Sequence, residues 1–412
     1  MAHDTAAAAP TGAVPTAGSR RCALSLTAVP GRLIGLDLAR GVAILGMFAA
    51  HLGPDPSVGG PLGWLMEVAR GRSSALFALL AGFTLVLLTG RPEPRTGRAG
   101  RQAVGRVLIR AAVLIGLGYV LAALDTSVDV ILAAYGMIFV LALPLYRLRA
   151  SALAAVAAAA ALVLPQVLYL LRTAVDGGSW ADTAIAVDPL ARVTGSDGVL
   201  ELFVTGAYPV LTWLPFIIAG MAVAKVDLTR PCAPVGVALC GGALAVLGYG
   251  GSWLALHLVP GAQSAVSAAT DGGQAASAWW SDAVGDPSSP TPSWLLVAAP
   301  HSQTTWSVLG NTGVALVVLA VCLVATERSA RLRWIAAPVI AVGSMSLTAY
   351  VAHILAISAF DTDDLPASAG LPVFFGFCAA AVFLALAWTR FFRRGPLEYA
   401  MRTVTAPARL LR

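Results

Sequence analysis

The chain predicts an all-α, polytopic membrane protein of about ten transmembrane helices with both termini in the cytoplasm. Three observations lead there. Of its 412 residues 58% are hydrophobic and 12% charged, whereas soluble globular chains carry about 45–50% and 25%. Ten apolar segments of spanning length follow one another, near 33–52, 73–90, 107–124, 128–146, 150–171, 203–224, 233–258, 305–325, 334–357 and 370–390. With the N-terminus inside, the cytoplasmic segments hold 23 of the 27 basic residues, leaving only Arg70, Arg72, Arg172 and Arg192 opposite. That opposite side carries 15 of the 21 acidic residues, Asp361, Asp363 and Asp364 among them. Such an excess of Lys and Arg on the cytoplasmic side is what orients membrane proteins. An odd number of spans would break the alternation.

Residues 1–30 are Ala, Pro, Thr and Gly with Arg20 and Arg21, a composition that buries no core and predicts a disordered cytoplasmic tail. No small-residue cleavage site follows the arginine pair, so an export signal is not expected. Residues 31–394 are expected to form a single transmembrane helical domain, with long external loops at 172–202 and 259–304 and a second cytoplasmic tail at 395–412.

The first span, RLIGLDLARGVAILGMFAAH, carries Asp37, Arg40 and His51. Ionisable groups at the middle of a span cost roughly 2.5–3.5 kcal/mol each on insertion scales, and are functional by default. At about 100° per residue, Arg40 falls near −60° and His51 near −40° from Asp37, so the three share one stripe. At about 1.5 Å per residue the stripe runs roughly 16 Å from Arg40 to His51, from near one membrane surface to the other. The alternative is a plain Asp37–Arg40 pair with His51 wet at the interface. Gly41 and Gly46 invite close helix neighbours.

The 91–110 segment, expected to be a cytoplasmic loop, holds six arginines and one acid. Guanidinium forks match phosphate, which makes Arg98, Arg101 and Arg106 candidates for a nucleotide-like donor. Topology setting or attraction to anionic lipid explains them equally well. Of the two external loops, 259–304 carries Trp279, Trp280 and Trp294, suited to stacking on sugar rings or to the membrane interface. Segment eight opens on His301, Thr304 and Thr305, with Asn311 deeper. In segment nine Gly343, Ser346, Tyr350 and His353 fall on one helical face. Apart from His3, the histidines (His51, His257, His301, His353) all lie in the outer half of the membrane or at its edge, and imidazole is suited to gain and lose protons near neutrality.

The formal charge of +6 is almost wholly arginine, Lys225 being the only lysine, and with the abundant alanine this follows from a GC-rich genome. No nucleic-acid partner is expected. Cys22, Cys232, Cys240, Cys322 and Cys378 show no C-x-x-C spacing, so neither a disulfide framework nor a metal site is predicted.

The pattern R-x-x-x-L-D-x-x-R-G-x-A-x-x-x-M-x-x-x-H, formed by Arg32, Leu36, Asp37, Arg40, Gly41, Ala43, Met47 and His51, resembles a known family of membrane proteins. It is similar to the bacterial relatives of heparan-α-glucosaminide N-acetyltransferase, the uncharacterised YeiB-type proteins included. GRSSALFALLAGFTLVL at 71–87, GSMSLTAYVAHIL at 343–355 and W-x-R-F-x-x-x-G-P-L-E at 388–398 extend the resemblance to both ends of the chain. It implies acyl transfer across a bacterial plasma membrane, from cytoplasmic acetyl-CoA to an extracytoplasmic sugar or amino sugar. In the animal enzyme the catalytic histidine follows the first span; residues 52–72 here contain none. His51 is the nearest substitute, and it also matches membrane O-acyltransferases in which a histidine closes the first span. The candidate catalytic set is therefore His51, Asp37, Arg40, Arg72, His353 and His301. A permease using the same polar residues as a substrate or proton path, and a non-catalytic membrane protein, are the other readings. No inverted repeat supports transport.

Overall fold

In a bilayer an apolar run satisfies its backbone by coiling into helix, and helix is what this chain forms. The computed structural model describes residues 33–411 apart from 92, 195–196, 229, 231 and 363–364, and contains no strand among them. The expected tail 1–30, Arg32, Asp363 and Asp364 lie outside the described residues.

Helix α1 (Ile34–Leu52) leads through a short turn to α2 (Gly60–Ala69) and α3 (Arg72–Thr89), and then α4 (Gly97–Ala122), α5 (Leu132–Ala142) and α6 (Ala150–Asp176) follow. Two short helices, α7 (Trp180–Val187) and α8 (Pro189–Thr194), precede α9 (Val210–Ala224). The next run is α10 (Ala233–Ala245), a π turn at Val246–Gly250, and α11 (Gly251–Leu258), followed by α12 (Ala262–Ala269). The chain closes with α13 (Thr305–Arg328), α14 (Ala330–Ile335), α15 (Ala337–Ser344), α16 (Ser346–Ala359), α17 (Gly370–Phe391) and α18 (Pro396–Val404).

Each of the ten predicted segments is helical over most of its length. Seven stretches, counting α2–α3 and α10–α11 each as one, are long and apolar enough to cross a membrane, and the pair α15–α16, bent by 85°, would make an eighth. Leu132–Arg147 and α9 are shorter apolar helices. Among the long spans α1, α3 and α13 are the most enclosed, while α17 lies at the edge and fully buries only Ala385.

Missing side chains set the tightest crossings. A Cβ on Gly82 of α3 would strike the carbonyl of Ile217, and one on Gly220 of α9 would strike that of Leu79. Gly41 of α1 lies in the same way against the Val339 carbonyl, and Gly343 of α15 against that of Asp37. Small residues at such crossings let backbones approach.

Four expectations change. Arg98, Arg101 and Arg106 lie on the opening turns of α4 rather than in a loop; arginine is a good helix former, which an apolar-length criterion does not register. Segment nine breaks at Met345, so Gly343 belongs to α15 and only Ser346, Tyr350 and His353 share α16. The stretch 395–412 contains α18, whose Glu398 carboxylate accepts hydrogen bonds from Leu347 N (2.7 Å), Thr348 N (3.3 Å) and Thr348 Oγ1 (2.6 Å). These satisfy donors that the first turn of α16 leaves open, which makes the break tolerable. Finally, 259–304 is no open loop. Leu256, Val266, Ala278, Val284, Trp294 and Val297 form a small apolar core of their own. Trp294, expected against sugar or lipid, is buried there, with its indole N–H donating to Ser302 O at 3.1 Å.

Candidate active site

The last turn of α1 brings His51 against His353 of α16. His51 Nδ1 and His353 Nε2 are 3.1 Å apart, and the rings stack at 5.3 Å with an interplanar angle of 10°. One nitrogen of the pair donates and the other accepts, so a single proton is shared. Phe48 and Tyr350 pack on His353 at 4.8 and 5.2 Å, which leaves it 3% exposed. Its Nδ1 has no hydrogen-bond partner among the described residues. Hemmed in this way, His353 can orient His51 but cannot reach solvent.

His51 in turn faces a cavity of about 660 Å³. Its walls come from the end of α1, Gly71 and Ser74 of the α3 start, Ser127 and Asp129 ahead of α5, residues 205–208, the 282–287 turn and the 299–303 loop. Arg70 and Arg172 bring positive charge to it, and Asp129, Asp282 and Asp286 negative.

His301 lines the same cavity from a strained backbone. His301 and Gln303 have φ of 57° and 61°, a region that costs a non-glycine residue about 1–3 kcal/mol. The loop is held by Gln303, whose amide donates to Ala207 O (2.9 Å) and accepts from Thr212 Oγ1 (2.7 Å). Gly71, at φ 64°, makes room for it: a Cβ there would come within 2.9 Å of Pro300 Cβ. The glycine of the GRSS sequence is thus required by both its backbone and its neighbour. Tyr208 and Trp213 rings flank His301 at 5.3 and 5.9 Å, and burial pushes its imidazole below the ordinary histidine pKa. The neutral ring is the favoured form.

Two arginines after α2 tie the 259–304 unit to the helices. Arg70 reaches Asp282 Oδ2 (2.5 Å) and Asp55 Oδ2 (3.3 Å). Arg72 donates to Glu67 O (2.9 Å), Trp280 O (2.5 Å) and Tyr249 Oη (3.1 Å). Tyr249 stands on the π turn and passes its own hydrogen to Asn311 Oδ1 at 2.7 Å. Arg72 is fully engaged in this clamp and does not line the cavity; Arg70 does. On the opposite wall Arg172 donates to Val204 O and Gly206 O.

Asp37 and Arg40 are not brought to this place. Arg40 donates to Asp37 Oδ1 (3.1 Å) and to Thr84 Oγ1 on α3 (2.7 Å). Between them and His51 the stripe is filled by buried Ile44 and Met47. The six candidates therefore divide: His51 and His301 at the cavity, His353 buried behind His51, Arg72 behind the wall, Asp37 and Arg40 deeper in α1. His257 lies elsewhere, on Trp253. Arg172, near the end of α6, and Asp129 and Asp286, in connecting segments, were missed, because single charges carry no periodicity. Among the described residues no cluster of His, Cys, Asp or Glu could hold a metal.

The family described as heparan-alpha-glucosaminide N-acetyltransferase, catalytic, matches residues 32–237, half of the chain. The chain belongs to that family. A family described as protein of unknown function (DUF418) matches residues 288–408. No curated protein matches the chain.

Laid on the structure, the N-acetyltransferase match supplies α1 with His51, Gly71, Asp129, Arg172 and the 205–208 turn. The second match supplies His301 and His353. The histidine pair thus joins one matched region to the other, and the cavity is complete only where the two meet. The 282–287 turn, with Asp282 and Asp286, belongs to neither.

Proposed function

We propose that this protein is a membrane acyltransferase moving an acyl group, in the first instance acetyl, from cytoplasmic acyl-CoA to a sugar or amino sugar on the other side of a bacterial plasma membrane. The observation that carries the reading is the His51–His353 pair opening on a cavity of about 660 Å³. That is the size of a small-molecule site. With the shared proton on His51 Nδ1, His51 Nε2 is a free base and His353 the acceptor that orients it. His51 takes the proton of the acceptor amine or hydroxyl as that group attacks the thioester carbonyl. The C–S bond breaks, and the departing thiolate takes up a proton. Arg70 and His301, on the cavity wall, are the cation and the donor placed to offset the charge growing on the carbonyl oxygen. The test is a purified sample in lipid, given labelled acetyl-CoA and an amino-sugar acceptor. Label should pass to the acceptor, and thioester that stays intact with every acceptor tried would refute the assignment.

The donor would enter from the side of α4. Neutralising Arg98, Arg101 and Arg106 together should weaken coenzyme A binding while leaving the fold intact, since Arg98 and Arg101 are exposed and Arg106 half-buried. Unchanged coenzyme A affinity in that triple variant would return these arginines to topology and lipid contact.

Transfer across the membrane also requires the ten-span arrangement. A reporter fused after Arg412, or inside 91–106, should behave as cytoplasmic, and one within 262–292 as external. The reverse at either place would undo the orientation and with it the direction of transfer.

A further inference from the structure

Behind the cavity wall lies a second, small pocket of about 10 Å³, lined by Gly71, Trp213, Phe216, His301, Gln303, Ser307, Val308 and Asn311. About 10–15 Å³ is enough for one water. Two buried polar atoms belonging to its walls have no partner among the described residues, the indole Nε1 of Trp213 and the Nδ1 of His301. Their rings are 5.9 Å apart, and no hydrogen bond joins them.

The other polar groups of the wall are engaged. Gln303 is fixed to Ala207 and Thr212. Asn311 accepts from Tyr249 and donates to Ser307 Oγ at 3.1 Å, and Ser307 Oγ is also within 3.3 Å of Ala299 O. An indole N–H can only donate, so whatever bridges the two orphans must accept from Trp213. A cation is excluded by that donor, and an organic group by the volume.

We infer that one ordered water occupies this pocket, accepts the indole hydrogen of Trp213 and donates to Nδ1 of His301, holding His301 in its Nε2–H tautomer. Buried waters of this kind make about three hydrogen bonds and are costly to remove. The third comes from the second amide hydrogen of Asn311, whose first is given to Ser307 Oγ; with both lone pairs filled by Trp213 and Asn311, the water has only a hydrogen to offer His301. With Nδ1 sealed, Nε2 carries the ring hydrogen, and the same ring lines the outer cavity beside Ala207. His301 then offers the cavity a hydrogen-bond donor rather than a base, and Trp213 is a positioning residue acting through the water. The roles of the two cavity histidines separate: His51 takes a proton, His301 gives a hydrogen bond. That division of labour rests on the acyl-transfer reading; the tautomer does not.

Histidine-selective ¹⁵N labelling and solid-state NMR in lipid read the ring tautomer directly, with His301→Gln identifying the His301 signals by their loss. The wild-type protein at neutral pH should show His301 protonated at Nε2 alone. Trp213→Phe keeps an aromatic ring and removes the donor, and should give a mixture of the two tautomers. A wild-type His301 carrying its proton on Nδ1 overturns the inference, and so does a Trp213→Phe protein with the wild-type tautomer. If Trp213→Phe fails to fold, the wild-type spectrum alone still decides the tautomer. In the transfer assay Trp213→Phe should lose on the order of two- to tenfold in rate, about the worth of one hydrogen bond. A preparation that transfers no acyl group leaves the NMR result unaffected, so failure of the water bridge and failure of the acyl-transfer reading are told apart.

Discussion

Replacing His51 by alanine should abolish acyl transfer, with a rate loss of about 10²–10⁴-fold, the usual contribution of a positioned acid–base group. His51→Asn should be equally inactive, because it keeps a polar side chain but no nitrogen lone pair that can take a proton. The sequence alone suggests little cost in stability, since the site lies near the membrane surface. The structure adds one term. His353 is buried and His51 is its hydrogen-bond partner, and a buried polar group left bare costs about 1–3 kcal/mol. His51 borders the cavity, so water there takes over part of the bond. A modest fall in melting temperature is therefore expected, far smaller than the loss of rate. Transfer and melting would be measured on the same detergent-purified sample. A His51→Ala protein that transfers acetyl at the wild-type rate would remove His51 as the catalytic base.

Much of the fold was legible because membrane helices are announced by apolar length, a local property. The all-helical membrane fold and the close approach at Gly41 were readable in that way. The break at Met345 was not, since the residues around it are as apolar as an unbroken span requires. What permits it is Glu398, some fifty residues further on, and no window on the sequence joins the two. The site was half legible for the same reason. Histidine chemistry singled out His51, His301 and His353, but composition could not say which of them meet. The Asp37–Arg40 pair drew attention as a costly charge in a span; in the fold Arg40 also donates to Thr84 on α3, a partner no local window shows. Arg72 misled because an arginine beside a candidate site reads the same whether it faces substrate or ties two carbonyls and a tyrosine together.

The second large effect is expected at Gly343, far from the cavity in sequence terms yet coupled to it by packing. A methyl group added there would meet the carbonyl of Asp37 and the backbone nitrogen of Gly41. Both are backbone atoms of α1, and Gly41 meets α15 in return at the Val339 carbonyl. No side chain can rotate away, so Gly343→Ala must part the two helices. Overpacking of a dense interior costs typically about 1–3 kcal/mol and sometimes more, which opposes the roughly 0.5–1 kcal/mol that alanine gains over glycine inside a helix. The consequence for function is larger. Helix α15 leads within two residues into α16, so a displaced α15 carries His353 away from His51. A misplacement of about 1 Å can cost on the order of 10²-fold in rate. Gly116→Ala in α4 and Gly376→Ala in α17 are the controls, because nothing lies within 4 Å of a Cβ at either position. Those two should fold and transfer as the wild type does or melt slightly higher. Gly343→Ala should give less monodisperse protein, a lower melting temperature, and little transfer in the fraction that does fold. Equal yield, melting and activity in all three would mean that the α1–α15 contact does not set the geometry of the histidine pair.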